Sequence, residues 1–135
     1  MQTRSDKVVG APLVGRIPDA LLRKVLLVDD EADGAEIAAV LLRSNGFEVV
    51  VAHSASEALQ ALQDDKEIGV VLSDIMMPDM TGLQLADTVR ETHPMIKIVL
   101  MSGYVAPALL KNREHEYLFV EKPYKMDTLL KVLGS

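Results

Sequence analysis

Four apolar runs in this chain each give way to a polar or charged group, and that recurrence narrows the possible folds more than any bulk property. The runs are Val25-Leu26-Leu27-Val28 before Asp29-Asp30, Val70-Val71-Leu72-Ser73 before Asp74, Ile98-Val99-Leu100-Met101 before Ser102, and Leu118-Phe119-Val120 leading to Lys122-Pro123. Short runs of this kind, with almost no polar interruption, read as strands of a parallel sheet covered on both faces. If they are neighbours in one sheet, their polar ends meet along a single edge. That edge is where open α/β sheets bind ligands.

The intervening segments carry helical signals. Asp33 suits the cap of a helix in which Ile37, Val40 and Leu41 recur at helical spacing, and Asn45-Gly46 ends it. Glu48–Ala52 reads as a strand. Ser54 or Ser56 opens a helix with Ala58, Leu59, Ala61 and Leu62, which fades into Asp64-Asp65-Lys66. After Val70–Ser73, a loop with Pro78 and Gly82 leads to a helix over Leu83–Thr92, stopped by His93-Pro94. Ile96–Met101 is the next strand, followed by a weak helix at Pro107–Arg113, the strand Leu118–Glu121 and a short helix over Met126–Leu133. Strands separated by helices imply right-handed βαβ crossovers and a three-layer sandwich. The expected fold is therefore α/β, a flavodoxin-like (βα)5 sandwich with parallel sheet order 2-1-3-4-5 and a shortened fourth helix. In that order the four strands with polar ends adjoin, and the second, ending at Ala52-His53, lies outside.

Residues 1–23 contain Gly10, Pro12, Gly15 and Pro18 and show no sustained period. They read as an N-terminal extension, flexible or loosely docked, with a short turn of helix at Pro18–Arg23; residues 24–135 read as the folded domain. A length of 135 residues fits one domain, and 49% apolar content marks a globular chain. The absence of cysteine excludes disulfides, thiolate metal sites and cysteine nucleophiles. No apolar run approaches the roughly 18 residues that span a bilayer, and the N-terminus makes a poor signal peptide. A cytoplasmic location without membrane insertion is expected. The net charge of −6 argues against nucleic acid as a direct partner. Residues 1–24 carry five cations against two anions, a balance of +3 that leaves −9 on the remainder.

Asp29, Asp30 and Asp74 should lie within a few ångströms of one another. Like charges that close repel by about 4 kcal/mol at an effective dielectric near 20. Such a cluster raises a pKa, takes up a proton or binds a cation. An all-oxygen donor set with room for water favours Mg2+, with Mn2+ able to substitute. A carboxylate beside a cation can attack phosphorus to give an acyl phosphate, with Lys122 and Ser102 receiving phosphoryl oxygens and Gly103 leaving its N–H approachable. Taken singly, Asp29-Asp30 is a turn, Asp74 a solvated loop residue, Ser102-Gly103 a turn and Lys122-Pro123 an exposed lysine before a bend, cis or trans. Their convergence on one edge favours the chemical reading.

From about Lys24 to Leu133 the chain resembles the receiver domain of two-component response regulators. The motifs are Leu27-Val28-Asp29-Asp30-Glu31, Ser73-Asp74-Ile75-Met76-Met77-Pro78-Asp79-Met80-Thr81-Gly82, Met101-Ser102-Gly103-Tyr104 and Glu121-Lys122-Pro123-Tyr124. The resemblance implies that Asp74 is the phosphoacceptor, that Asp30 binds Mg2+ directly and Asp29 mainly through water, and that the Met76 backbone carbonyl is a further ligand. It also implies Ser102 as the switch hydroxyl, Lys122 as the phosphate contact and Phe119 as the switch aromatic, whose alternative is plain core packing. An exposed Tyr117 would complicate that readout. Met76 and Tyr104 would flank the path of an attacking water, their bulk slowing self-dephosphorylation.

The implied function is to accept a phosphoryl group from a histidine kinase or histidine phosphotransfer protein and signal by binding a downstream protein, without turnover of a separate substrate. The donor would dock on the first helix, at Ile37, Val40 and Leu41. The chain reads as a stand-alone receiver, or as the receiver segment of a hybrid sensor kinase. The charged segment from Val105 to Tyr117 departs from the usual pattern and leaves the output face and the usual dimer open. His53, His93 and His115 share no ligand spacing and receive no role, and Met76, Met77 and Met80 offer an adaptable partner surface. A rival is a small Mg-dependent phosphatase of the haloacid-dehalogenase type, which needs a second aspartate two residues after its nucleophile. Here Asp29 is followed two later by Glu31, and Asp30 by Ala32.

Overall fold

The computed structural model describes residues 24–103 and 117–134. The extension expected at 1–23, the weak helix expected at Pro107–Arg113 and Tyr104 lie outside the described residues. Among the described residues nine elements follow one another: β1 (Lys24–Val28), α1 (Ala32–Ser44), β2 (Glu48–Ala52), α2 (Ala55–Asp64), β3 (Val70–Asp74), α3 (Gly82–Thr92), β4 (Lys97–Ser102), β5 (Leu118–Glu121) and α4 (Met126–Gly134). The five strands form one sheet in the order β2-β1-β3-β4-β5, every neighbouring pair parallel. Both the sheet order and the strand assignments agree with the sequence expectation.

Alternation along each strand divides the core in two. Leu26, Val28, Val71, Ile98 and Leu100 pack on one face with Ala58 and Leu62 of α2 and Leu85, Ala86 and Val89 of α3. Val25, Leu27, Val70, Leu72, Val99, Met101 and Val120 pack on the other with α1 and α4, which contribute Ala38, Ala39, Leu42, Leu129 and Leu133. A buried aliphatic side chain contributes about 1.5–3 kcal/mol relative to exposure. The central strands, apolar on both faces, therefore anchor the position of the edge that follows them.

The helix ends follow local chemistry. Ser54 caps α2 by accepting a hydrogen bond from Glu57 N at 3.1 Å, which resolves the Ser54 or Ser56 alternative. Thr81 and Gln84 form a reciprocal capping box at α3, and His93 ends that helix as expected. Gly46, at φ 92°, follows α1 in the left-handed region that glycine tolerates. Asp33 is not a cap: α1 begins after Glu31, which makes no side-chain cap bond, and Asp33 sits inside the first turn. The outer face of α1 is the apolar one that the sequence displays. Ile37 is 64% exposed and Val40 and Leu41 are also exposed, while the small Ala35, Ala38 and Ala39 with Leu42 press against the sheet.

Candidate functional site

Strand register builds the site. Val28 of β1 pairs with Ser73 of β3, Asp74 with Met101 of β4, and Ser102 with Glu121 of β5. The residues that end these strands are therefore held side by side at one edge of the sheet. Asp29, Asp30 and Asp74 each offer a carboxylate oxygen within 4.8 Å of the others. Asp29 is buried, and its Oδ1 accepts the Glu31 N–H at 2.9 Å, which fixes the rotamer. Asp30 is exposed, so its carboxylate is the part of the cluster most open to solvent. Lys122 Nζ lies 3.3 Å from Asp74 Oδ2 and 3.6 Å from Asp29 Oδ2, reaching in from the turn after β5.

Electrostatics at the site are unbalanced. Burial raises the Asp74 carboxyl above its ordinary 3.8; Lys122 opposes that rise, and Asp29 and Asp30 add to it. For Lys122, burial lowers the ammonium's pKa, but the carboxylates of Asp74 and Asp29 outweigh it and leave the group raised. Three carboxylates facing one ammonium leave two negative charges for a ligand to offset. All the donors are oxygen, and one carboxylate is open to water. A hard divalent cation such as Mg2+ fits that set, which Asp29, Asp30 and Asp74 would hold.

The remaining expected residues fall as follows. Ser102 is buried at the end of β4, and its carbonyl accepts from Lys122 N at 2.9 Å. Gly103 is exposed, with nothing within 4 Å of where a Cβ would lie, so packing does not require glycine there. Phe119 is 43% exposed on β5, which rules out plain core packing. Tyr117 is not exposed: it packs on the α2–α3 side of the core and its hydroxyl donates to Asp87 Oδ1. The three methionines part company, with Met76 exposed, Met77 buried and Met80 partly buried against the core, so Met76 offers most of the free surface. The Lys122–Pro123 peptide bond is cis. His53, given no role, places Nδ1 3.1 Å from the Asp29 carbonyl oxygen.

Two residues that stand in the loop and motif after Asp74 take on contacts that the sequence did not assign them. A Cβ on Gly82 would lie 2.2 Å from the Asp74 carbonyl oxygen and 2.9 Å from Ile75 Cα, so the start of α3 touches the backbone of the central carboxylate. Gly82 N also donates to Ile75 O at 2.7 Å. A glycine at the first position of a helix is the signal that could have revealed this contact. Asp79 accepts from Ala55 N at 3.4 Å and Ser56 N at 3.3 Å, partners too distant in sequence for spacing to show.

Beside the carboxylates runs an open groove of about 500 Å3, lined by Ile37, Ala38, Leu41, Lys122, Pro123 and Tyr124 among others. The exposed apolar face of α1 forms one wall and the turn after β5 the other.

A family model described as response regulator receiver domain matches residues 25–134. The sensor kinase CckA of Brucella abortus is 38% identical over 109 residues, which is 78% of this chain and 11% of that protein. The chain thus spans about a tenth of that relative's length, and about a quarter of a putative NtrX-like response regulator of Rickettsia bellii, 31% identical, of which it covers 23%. Among solved structures, a response regulator receiver protein from Pseudomonas putida is similar at a TM-score of 0.75 and 31% identity, covering 82% of this chain and 94% of the other.

Proposed function

Because the chain belongs to the response regulator receiver domain family of two-component signalling, we propose that it accepts a phosphoryl group on Asp74 from a phosphohistidine donor and passes the change on by binding another protein. The observation that carries this reading is Lys122 Nζ at 3.3 Å from Asp74 Oδ2, inside a cluster of three carboxylates that fits a divalent cation. A neutralising lysine at the nucleophile is what phosphoryl transfer asks of a protein, since its catalysis is mostly positioning and electrostatics.

In the proposed step an Asp74 carboxylate oxygen forms the new P–O bond as the P–N bond of the donor's phosphoimidazole breaks. The electron pair of that bond returns to the imidazole nitrogen. Bound Mg2+ would supply further positive charge to the phosphoryl oxygens. Lys122 exchanges its contact with Asp74 for one with a phosphoryl oxygen, and Ser102 donates its hydroxyl to another. Asp29, fixed by the Glu31 N–H, keeps the metal side of the site in place. Residues 24–135 form the receiver domain in this reading, and the donor is a histidine kinase or histidine phosphotransfer protein. It docks in the groove between α1 and the Pro123-Tyr124 turn, where Ile37 and Leu41 supply exposed apolar contacts next to Asp29 and Lys122.

The response leaves through Ser102 and Phe119. Pulling Ser102 toward the phosphoryl group draws on β4, and the half-exposed Phe119 ring on neighbouring β5 turns inward. Similarity to the CckA sensor kinase of Brucella abortus, and to a solved receiver domain from a hybrid histidine kinase CckA at a TM-score of 0.68 and 29% identity over 82% of this chain and 95% of the other, supports a hybrid-kinase receiver as well as a stand-alone one. Beryllofluoride with Mg2+, a mimic of the acyl phosphate, tests the switch. Amide resonances of Ser102 and Phe119 shift in the wild type and stay in place in Asp74→Asn; unshifted wild-type resonances would contradict the proposal.

A further inference from the structure

The loop from Ile75 to Thr81 joins the central carboxylate to α3, and its hold on the rest of the molecule is unusually distributed. Met77 and Met80 pack into the core on the α2–α3 side. Gly82 N closes the loop's two ends by donating to Ile75 O. The tip is held from another element altogether: the Asp79 carboxylate accepts from Ala55 N and Ser56 N at the first turn of α2, with the Ser56 hydroxyl at 3.5 Å. Ser54 satisfies the Glu57 N–H of the same turn, so α2 carries one cap from its own approach and a second from the loop after β3.

The turn that receives Asp79 also touches the other half of the acidic site. His53, just before it, places Nδ1 at the Asp29 carbonyl oxygen, and Asp29 N donates to Ala52 O at 3.0 Å. Residues 52–56 therefore contact the Asp29 end of β1 on one side and, through Asp79, the loop that follows Asp74 on the other. We propose that Asp79 is a positioning residue for the acidic site, fixing the loop after Asp74 to the same turn that contacts Asp29 and so setting the spacing of the carboxylates. A carboxylate suits the place, because the positive end of α2 and its open N–H groups attract it. Desolvation raises the Asp79 carboxyl, but the N–H groups of Ser56 and Ala55, with those of Asp79 and Met80, together outweigh it and keep the group below its ordinary range.

The inference rests on the cation-binding reading of Asp29, Asp30 and Asp74, and the test separates the two. Full-chain Asp79→Ala, Asp79→Asn and Ser54→Ala are compared by Mg2+ titration calorimetry, melting temperature and amide hydrogen exchange at Gly82 in metal-free buffer. Both alanine variants remove a cap from α2 and lower its melting temperature alike. Asp79→Ala alone is expected to speed exchange at Gly82 and weaken Mg2+ binding roughly 10-fold, as loss of an outer-shell contact does. Asp79→Asn, which keeps an acceptor, restores most of both. Unchanged Gly82 exchange in Asp79→Ala, or equal effects from Ser54→Ala, would overturn the inference and leave Asp79 as a helix cap alone. Absence of Mg2+ binding by the wild type would defeat the cation reading, while exchange at Gly82 would still decide whether Asp79 holds the loop.

Discussion

Asp74 is held in a position that opposes its own ionisation, and two substitutions at this point separate function from stability. Its folded pKa is raised, first by burial and then by Asp29 and Asp30, against the pull of Lys122. A carboxyl raised on folding weakens the native state wherever it is ionised; that cost fades as pH falls through the raised value and is gone below the ordinary one. Asp74→Asn should therefore melt at a higher temperature than wild type in metal-free buffer at neutral pH. The difference should shrink as pH falls through the raised value and close below about pH 3, where the wild-type carboxyl is protonated in both states. Gly82→Ala has the opposite consequence: its methyl group meets the Asp74 carbonyl oxygen, so backbone must move, with an expected loss of about 1–3 kcal/mol in urea unfolding. Met76 is 56% exposed beside the nucleophile, and Met76→Asn should shorten the lifetime of phosphorylated protein if its bulk hinders water. Loss of label over time measures that directly. The carboxylates, Lys122 and Ser102 were legible in the sequence because each follows an apolar run. The contacts of Gly82 and Asp79 were not assigned, since their partners belong to other elements and are set by tertiary packing.

Among the elements, α1 shows how far periodicity carries. Its helical spacing was readable, yet the apolar residues that announce it point outward and the alanines face the sheet. Alanine gives a weak hydrophobic signal, but its small side chain lets a helix approach a sheet closely. What periodicity marks here is the wall of the groove beside the site. Ile37→Asp should change stability by no more than about 0.5 kcal/mol, as exposed substitutions do. It should slow phosphoryl transfer from a phosphorylated histidine donor while leaving phosphorylation by acetyl phosphate intact. Equal rates with the protein donor would remove α1 from the docking surface. The capping of α2 and α3 was only partly legible. Thr81 and Gln84 lie three residues apart and could be read as a capping box, whereas the choice between Ser54 and Ser56 needed the folded backbone.

For the molecule as a whole, sheet order does most of the work. The observed order makes the four strands with polar ends neighbours, and its three central strands, β1, β3 and β4, are the ones buried on both faces. Strand positions and sheet order were thus legible in the sequence, while the degree of exposure of Phe119 and Tyr117 depends on packing that no local pattern encodes. A cation that binds the folded site and not the unfolded chain stabilises the whole domain, by about 2.7 kcal/mol at a hundredfold excess over its dissociation constant. Mg2+ should accordingly raise the melting temperature of the wild type and raise that of Asp30→Asn much less. The most direct measurement is the intact mass of wild type and Asp74→Asn after incubation with acetyl phosphate or phosphoramidate. A gain of one phosphoryl group that requires Mg2+ and is absent from Asp74→Asn is the predicted result. A wild type that gains no mass and also fails to bind beryllofluoride, or an Asp74→Asn protein that gains as much as wild type, would contradict it.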